Sequence, residues 1–124
     1  MRIWTRRPEV ISADIRDPAA ISSAFRGVDC VFHTAALARV PLSIEKPMET
    51  HLVNVDGTLN VLLAARDAGV RRVVFSGSSS VYGEQQSLPL QEDMTPNPLS
   101  PYARRSLPGN STRDCLAAFM AWRR

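Results

Sequence analysis

Hydroxyl groups at two points of the chain could take part in proton transfer. Ser78, Ser79 and Ser80 follow an apolar run that predicts a strand, and a serine there can hydrogen-bond a sugar or carbonyl oxygen. Tyr102 opens a predicted helix, whose N-terminus favours an anion and would help the side chain act as a phenolate base. The serine run fits a simple polar turn equally well, and a lone tyrosine in a proline-rich helix entry is more often a packing residue, so the alternatives stay open at this point.

Two further predicted strand ends carry residues that could line a ligand site. Asp14 and Ile15 follow a β-prone run, and Ala35 and Ala36 follow the next predicted strand. Ligands of open parallel sheets bind beyond the carboxyl ends of the strands, where small residues let a flat or extended molecule approach the backbone. The two alanines are also compatible with simple packing. The pattern therefore indicates a binding edge without identifying its ligand.

Predicted strands and helices alternate along the chain. Asp17 and Pro18 mark a helix start, because aspartate is a good N-cap and proline is tolerated in the first turn. The apolar run Val73-Val74-Phe75 is typical of a strand buried on both faces of a parallel sheet. Strands are predicted at residues 9–13, 28–32 and 71–76, and helices from Pro18, at 48–68 and from Pro101. A loop or short turn is predicted at 41–47 and an irregular surface segment at 84–99. This order predicts an α/β fold with right-handed parallel crossovers.

The composition fits one soluble globular domain. The chain has 124 residues, of which 44% are hydrophobic and 22% charged. No apolar run approaches the ~18 residues of a membrane helix, and the N-terminus lacks an apolar signal core. Cys30 and Cys115 are too few for a disulfide framework and suit a reducing compartment. We therefore expect a cytoplasmic protein with no membrane partner.

The net charge of +3 invites a nucleic-acid interpretation, but its distribution argues against one. Residues 8–102 contain seven Lys and Arg against eleven Asp and Glu, so the basic excess lies at the two ends. A nucleic-acid surface needs basic residues along one face or interleaved with aromatic ones. We expect no nucleic-acid partner.

Two other chemistries lack the residue spacing that they need. Cys30, His33, His51 and Cys115 form no recognised metal-ligand pattern, so no metal site is predicted. The serine run is not a Gly-x-Ser-x-Gly elbow, which argues against a serine hydrolase.

Five short motifs occur in a fixed order between residues 9 and 103. They are Asp14-Ile-Arg-Asp17, Val31-Phe-His-Thr-Ala-Ala36, Asn54-Val-Asp-Gly-Thr-Leu-Asn60, Phe75-Ser-Gly-Ser-Ser-Ser-Val-Tyr-Gly83 and Ser100-Pro-Tyr-Ala103. Together they resemble the extended short-chain dehydrogenase/reductase family, in its NAD-dependent epimerase/dehydratase branch. The stretch at residues 37–44 is most similar to nucleotide-sugar 4-epimerases that act on UDP-hexoses or UDP-N-acetylhexosamines.

The resemblance implies an α/β fold with a partial Rossmann-like, doubly wound parallel sheet. It implies NAD as cofactor, a nucleotide sugar as substrate, and a homodimer formed through helices. The implied cofactor-binding residues are Asp14 and Ile15 for the adenine, Ala35, Ala36 and Leu37 for the phosphates and ribose, and Asn54 beside the active site. The implied catalytic residues are Ser78 and Tyr102, with Ser79 and Ser80 as substrate contacts or alternatives to Ser78.

The implied reaction removes the proton of the sugar 4-hydroxyl group through Tyr102 while hydride passes to NAD. The keto intermediate then rotates and is reduced from its other face. Under this interpretation the cofactor supplies the hydride chemistry, and the protein positions and polarises the sugar.

The sequence departs from the family pattern at its start. The family opens with a Gly-x-x-Gly-x-x-Gly turn that seats the pyrophosphate on a helix N-terminus. No two of the six glycines here are three residues apart, so this motif does not occur in the chain. By resemblance, the first β-α-β portion and the C-terminal substrate domain are missing.

A second departure follows Tyr102. Four residues further on, the family has a lysine that supports the tyrosine and holds the nicotinamide ribose, whereas this chain has Ser106. One interpretation is a natural non-catalytic homologue. The other is a reading-frame shift near residue 104, because a shifted frame can encode Ser-Lys-Leu-Ala-Gly-Glu-Leu-Tyr-Ala and restore the lysine.

These observations predict three segments. Residues 1–8 are an atypical N-terminal segment, residues 9–103 a partial NAD-binding domain, and residues 104–124 an out-of-frame tail. We expect a fragment of a UDP-sugar 4-epimerase that is itself inactive. The alternatives are a non-catalytic remnant or interaction module, and a related NAD(P)-dependent sugar dehydratase or reductase.

Overall fold

A computed structural model describes residues 8–106 of the chain. Most of the predicted segments 1–8 and 104–124 therefore lies outside the described residues. The elements are helices α1 (Pro18–Ser22), α2 (Val40–Glu45), α3 (Pro47–His51), α4 (Thr58–Asp67) and α5 (101–106), strands β1 (Cys30–His33) and β2 (Arg72–Phe75), 3-10 turns at Ser23–Phe25 and Ser79–Tyr82, and a π-helical stretch at Leu52–Gly57. None of the described helices is long and apolar enough to cross a membrane.

Local signals set the start of α1 as predicted. The Asp17 carboxylate accepts hydrogen bonds from the N–H groups of Ala19 and Ala20 at 3.0 and 3.2 Å, and Pro18 occupies the first turn. These bonds satisfy donors that a helix start leaves unpaired. Gly27 then ends the helical segment at φ 69°, a left-handed conformation that favours glycine. The predicted N-cap and stop are both confirmed.

The sheet consists of β1 and β2, which run parallel. Val31 pairs with Val73 and Phe32 with Val74, and the crossover between the strands is helical. One face of the sheet packs on a core cluster through Val31 and Val73. The buried members of that cluster are Ile21, Phe25, Val61, Ala65 and Val70. The α/β class with parallel strand pairing is therefore confirmed.

The other face of the sheet is open. Phe32 is 74% exposed and Val74 is 40% exposed, because no described helix covers that face. The prediction that the Val73-Val74-Phe75 strand is buried on both faces is therefore wrong for residues 8–106.

The predicted strand at residues 9–13 is also wrong. These residues form no ladder, and Val10 and Ile11 are 89% and 45% exposed. A β-prone run becomes a strand only when a neighbouring strand pairs with it, and within the described part of the chain β1 pairs only with β2.

The loop or short turn predicted at residues 41–47 is helical instead. Pro41 lies in the first turn of α2 and Pro47 opens α3, positions where the missing N–H of proline costs nothing. The Ser43 hydroxyl donates to the Val40 carbonyl oxygen at 2.7 Å, which supports the short α2 turn. The prolines therefore start helices here and do not break them.

The predicted helix at residues 48–68 is confirmed in extent, but it is not uniform. Helical structure runs without a break through α3, the π-helical stretch and α4, and Gly69 follows at φ 74°. A π-helical stretch is rare and is frequent at functional sites. It contains Asn54 and Gly57, both of which are buried.

A buried histidine links the sheet to this helix. His33 is 4% exposed and its Nε2 lies 2.9 Å from Thr58 Oγ1. Since the Thr58 hydroxyl donates to the Asn54 carbonyl oxygen at 2.9 Å, Nε2 of His33 is the donor to Thr58. The side chain also packs edge-to-face on Phe75, with the ring centroids 5.3 Å apart.

Burial lowers the pKa of His33 below its ordinary value of 6.5. The unfolded chain therefore binds a proton that the folded protein resists, and we expect the free energy of unfolding to fall as pH drops below about 6.5. Above about pH 6.5, His33 makes no further contribution to the pH dependence of the free energy of unfolding. Urea unfolding measured between pH 8 and pH 5 tests this, and His33→Gln should flatten the profile. An equal acid loss in His33→Gln would contradict the assignment to this residue.

Candidate functional site

Residues from three chain segments line an open groove of about 590 Å³ just beyond the carboxyl end of β1. The first wall is the segment before α1, at residues 12–16, and the second wall is the loop after β1, at residues 35–37. The remaining lining comes from the continuous helical segment at residues 47–67. The lining residues are Ser12, Ala13, Asp14, Ile15 and Arg16, then Ala35, Ala36 and Leu37, and finally Glu49 and Val53. Five of the six predicted cofactor-binding residues therefore line one groove.

The first wall is a hydrogen-bonded turn over residues 14–17. The Asp17 N–H donates to the Asp14 carbonyl oxygen at 3.0 Å, and the Arg16 N–H donates to Asp14 Oδ1 at 2.9 Å. Arg16 also reaches the same carboxylate through its side chain, with Nη2 2.6 Å from Asp14 Oδ2. The side-chain and backbone hydrogen bonds from Arg16 lower the pKa of Asp14 to about 2. Asp14 is therefore an anion throughout the physiological range.

Asn54, the sixth predicted residue, supports the second wall without lining the groove. Its side-chain Oδ1 accepts a hydrogen bond from the Leu37 N–H at 2.8 Å, and its Nδ2 donates to the Leu37 carbonyl oxygen at 3.2 Å. Asn54 is 9% exposed. A buried amide that pairs with both backbone groups of one residue fixes the conformation of the loop that carries Ala35 and Ala36.

A glycine under the first wall was missed by the sequence analysis. Gly57 lies in the π-helical stretch, and a Cβ there would be 2.7 Å from both Cγ1 and Cδ1 of Ile15. The glycine thus lets Ile15 pack directly on the helix. The signal in the sequence is a glycine inside a strongly helical pattern, since such a position often has a packing reason.

The serine run forms a turn after β2. Ser78 caps the 3-10 turn Ser79–Tyr82, and its Oγ accepts from the Ser80 N–H at 3.3 Å. Ser78 and Ser80 are half-buried, whereas Ser79 is exposed. Val81 in the same turn is completely buried and anchors it. The structure therefore holds Ser78 in a defined conformation with part of its surface open to solvent.

Tyr102 lies in the first turn of α5 and is half-buried. Ser100 Oγ accepts from the Ala103 N–H at 3.1 Å, which confirms the predicted helix start. Four residues after Tyr102, the Ser106 hydroxyl donates to the Tyr102 carbonyl oxygen at 3.0 Å. Among residues 8–106 no hydrogen bond joins the side chains of Ser78 and Tyr102.

A closed loop connects these two residues. The Asn97 N–H donates to the Val81 carbonyl oxygen at 2.9 Å, and Gln85 Nε2 donates to the carbonyl oxygens of Tyr82 and Thr95 at 2.6 and 3.1 Å. The predicted irregular character of residues 84–99 is confirmed, but these bonds give the segment a defined shape. It returns the chain from the serine turn to the start of α5.

The sequence profile of the NAD dependent epimerase/dehydratase family matches residues 2–111, which extends beyond the predicted 9–103 domain at both ends. The curated UDP-glucose 4-epimerase of Lactobacillus helveticus is 37% identical over 111 residues. That alignment covers 88% of this chain and 32% of the relative. The chain thus spans about a third of the length of the curated relatives that it matches.

Solved structures agree with the profile. UDP-glucose 4-epimerase from Brucella ovis in complex with NAD superposes with a TM-score of 0.81 at 33% identity, covering 87% of this chain and 34% of that one. A UDP-glucose-4-epimerase from Stenotrophomonas maltophila with bound NAD and formylated UDP-arabinopyranose gives a TM-score of 0.79 at 36% identity, covering 86% and 32%. With nearly the whole sequence matched by the profile, this chain belongs to the NAD-dependent epimerase/dehydratase family, whose cofactor is NAD.

Proposed function

We propose that this chain carries the adenine-binding groove and the serine–tyrosine reaction centre of an NAD-dependent UDP-sugar 4-epimerase. The groove is the observation that carries the proposal, because it collects residues from separate segments at the sheet edge where α/β proteins bind ligands. The names of the similar proteins support a UDP-sugar as substrate. Cytoplasmic location is part of the proposal, since Cys30 is an exposed free thiol.

The groove residues fit the adenosine half of NAD. The Asp14 carboxylate supplies a hydrogen-bond acceptor that stays ionised, and the side chains of Ala35 and Ala36 are small enough for a ribose or phosphate to approach the backbone. Ile15 contributes an apolar surface for a flat base. Asn54 would keep the second wall in place through Leu37.

Two hydroxyl residues would act on the sugar. Tyr102 would hold the proton taken from the 4-hydroxyl group and return it, and Ser78 would donate a hydrogen bond to the oxygen at that carbon. NAD, when bound, supplies the hydride acceptor and donor of such a reaction. Since Ser106 provides no cation beside Tyr102, we propose that the chain as it stands does not turn over substrate.

A chimera tests the catalytic part of the proposal. Residues 9–103 replace the matching segment of the Lactobacillus helveticus relative, and interconversion of UDP-glucose and UDP-galactose is measured. We expect activity, and we expect Tyr102→Phe to lower kcat by about 10²-fold or more because general base catalysis contributes that much.

Tyr82→Phe is the matched control for this chimera, since Tyr82 lies in the 3-10 turn and should tolerate loss of its hydroxyl. A Tyr102→Phe chimera with full activity would refute the catalytic role. A folded chimera that binds NAD but shows no turnover would instead support a non-catalytic remnant.

We also propose that the protein forms homodimers through its helices. Four apolar side chains at four-residue intervals on and after α2 are exposed, at 37%, 64%, 69% and 42% in the order Val40, Ile44, Met48 and Leu52. Such a series of exposed apolar residues is typical of an interaction surface. Sedimentation velocity should show a dimer that Ile44→Glu dissociates. Leu88→Glu is the control, because Leu88 is 82% exposed in the loop, and a monomeric wild type would refute this surface.

A further inference from the structure

The turn over residues 14–17 is held from the helix side by one amide group. Asn60 Nδ2 donates to the Ile15 carbonyl oxygen at 3.0 Å and to the Arg16 carbonyl oxygen at 3.3 Å. Asn60 lies in α4 and is half-buried, 45 residues further along the chain than Ile15. These bonds connect the first wall of the groove to the helix that supports the second wall through Asn54.

With these bonds, the three peptide groups between Asp14 and Asp17 are almost fully paired. In the group between Asp14 and Ile15, the carbonyl oxygen accepts a hydrogen bond from the Asp17 N–H. In the group between Ile15 and Arg16, the carbonyl oxygen accepts from Asn60 and the N–H donates to the Asp14 carboxylate. In the group between Arg16 and Asp17, the carbonyl oxygen accepts from Asn60 and the N–H donates to the Asp14 carbonyl oxygen.

One group of the turn has no hydrogen-bond partner within residues 8–106, namely the Ile15 N–H. Its direction is nevertheless fixed, because a trans peptide points the N–H away from the carbonyl oxygen of Asp14, which Asp17 holds. This donor belongs to the residue that follows Asp14, whose carboxylate is an acceptor, and both residues line the groove.

We propose that Asn60 is a positioning residue of the groove, which fixes the turn so that the Ile15 N–H donor stands next to the Asp14 acceptor. A donor beside an acceptor matches the edge of an aminopurine base, where a ring nitrogen accepts and an exocyclic amine donates. The inference rests on the proposed function for its ligand, an adenine nucleotide. The role of Asn60 is to hold the turn and not to touch the base.

The test uses the full chain and AMP as the probe. Asn60→Asp keeps the shape of the side chain but removes both donated hydrogen bonds. We expect amide hydrogen exchange at Asp17 to accelerate at least tenfold, and the affinity for AMP, followed at the Ile15 amide by NMR, to fall at least tenfold. Asn60→Ser avoids placing a carboxylate against two carbonyl groups and replaces the first variant if that variant does not fold. It should likewise show faster amide exchange at Asp17 and a lower affinity for AMP.

Asn97→Asp is the matched control, since Asn97 is exposed and its side chain makes no hydrogen bond within the described residues. Unchanged exchange at Asp17 in the Asn60 variants would overturn the inference. So would faster exchange with an AMP affinity within twofold of the wild-type value. If the wild-type chain does not bind AMP, the proposed adenine site fails, and the exchange rates alone decide whether Asn60 holds the turn.

Discussion

Replacing Gly83 with alanine should destabilise the protein by about 3 kcal/mol or more. Gly83 has φ 58° and ψ −143°, a backbone conformation that is essentially restricted to glycine. A Cβ at this position would also overlap the Asn97 carbonyl oxygen and lie 3.1 Å from its carbon. Because both atoms belong to the backbone of a closed loop, neither can move aside without opening the loop. The backbone strain at residue 83 and the overlap with Asn97 therefore both contribute to the loss of stability.

Gly27→Ala is the matched control for Gly83→Ala. Gly27 has a similar φ of 69°, but a Cβ there meets nothing within 4 Å, so only the left-handed strain of about 1 kcal/mol remains. Free energies of unfolding from urea titrations of the two variants measure the difference. Similar losses in both would show that the contact between Gly83 and Asn97 does not constrain the loop.

Asn54→Ala should lower the free energy of unfolding by about 2 kcal/mol. The substitution leaves the N–H and the carbonyl oxygen of Leu37 without their partner, and Leu37 is half-buried. We also expect a loss of AMP affinity, because the loop with Ala35 and Ala36 would no longer have a fixed conformation.

Asn97→Ala, a substitution of an exposed asparagine, controls for the change of residue type. Chemical unfolding gives the stability of both variants, and NMR shifts of the Ala35 and Ala36 amides report on the loop. An Asn54→Ala protein with wild-type stability and unchanged amide shifts would contradict the role of Asn54 in the second wall.

Local signals in the sequence predicted those elements that local interactions determine. The Asp17 cap and the helix start at Ser100 depend on hydrogen bonds between residues at most three apart, and the Gly27 stop depends on the φ of that one residue. The position of Ala35 and Ala36 beyond the carboxyl end of β1 followed from the strand pattern. The same argument failed for Asp14 and Ile15, because residues 9–13 form no strand, and only the family resemblance grouped them with the alanines. Periodicity alone indicates no ligand for the groove, and the expectation that it binds adenine came from the family resemblance.

The failures concern features that depend on distant partners. Residues 9–13 form a strand only if a neighbouring strand pairs with them. Phe32 and Val74 are buried only if another element of the fold covers their face of the sheet. The hydrogen bonds from Asn60 join residues 45 and 44 positions apart, and no local pattern reveals them. Proline is an ambiguous signal of helix boundaries for a different reason, because it can either end a helix or begin one. Pro41 and Pro47 each lie in the first turn of a helix.

The π-helical stretch limits how this sequence can change in length. Its second half, residues 55–57, lies between Asn54 and Asn60, which hold opposite walls of the groove. Deleting a single residue there would rotate Asn60 about the helix axis relative to Asn54 by roughly a quarter of a turn, which is the angle between successive residues of a helix with i→i+5 hydrogen bonds. One of the two amides would then face away from its wall. Substitutions at exposed positions of this helix outside the proposed dimer surface are tolerable, but insertions and deletions between the two asparagines are not. Relatives that keep the groove should therefore keep this spacing.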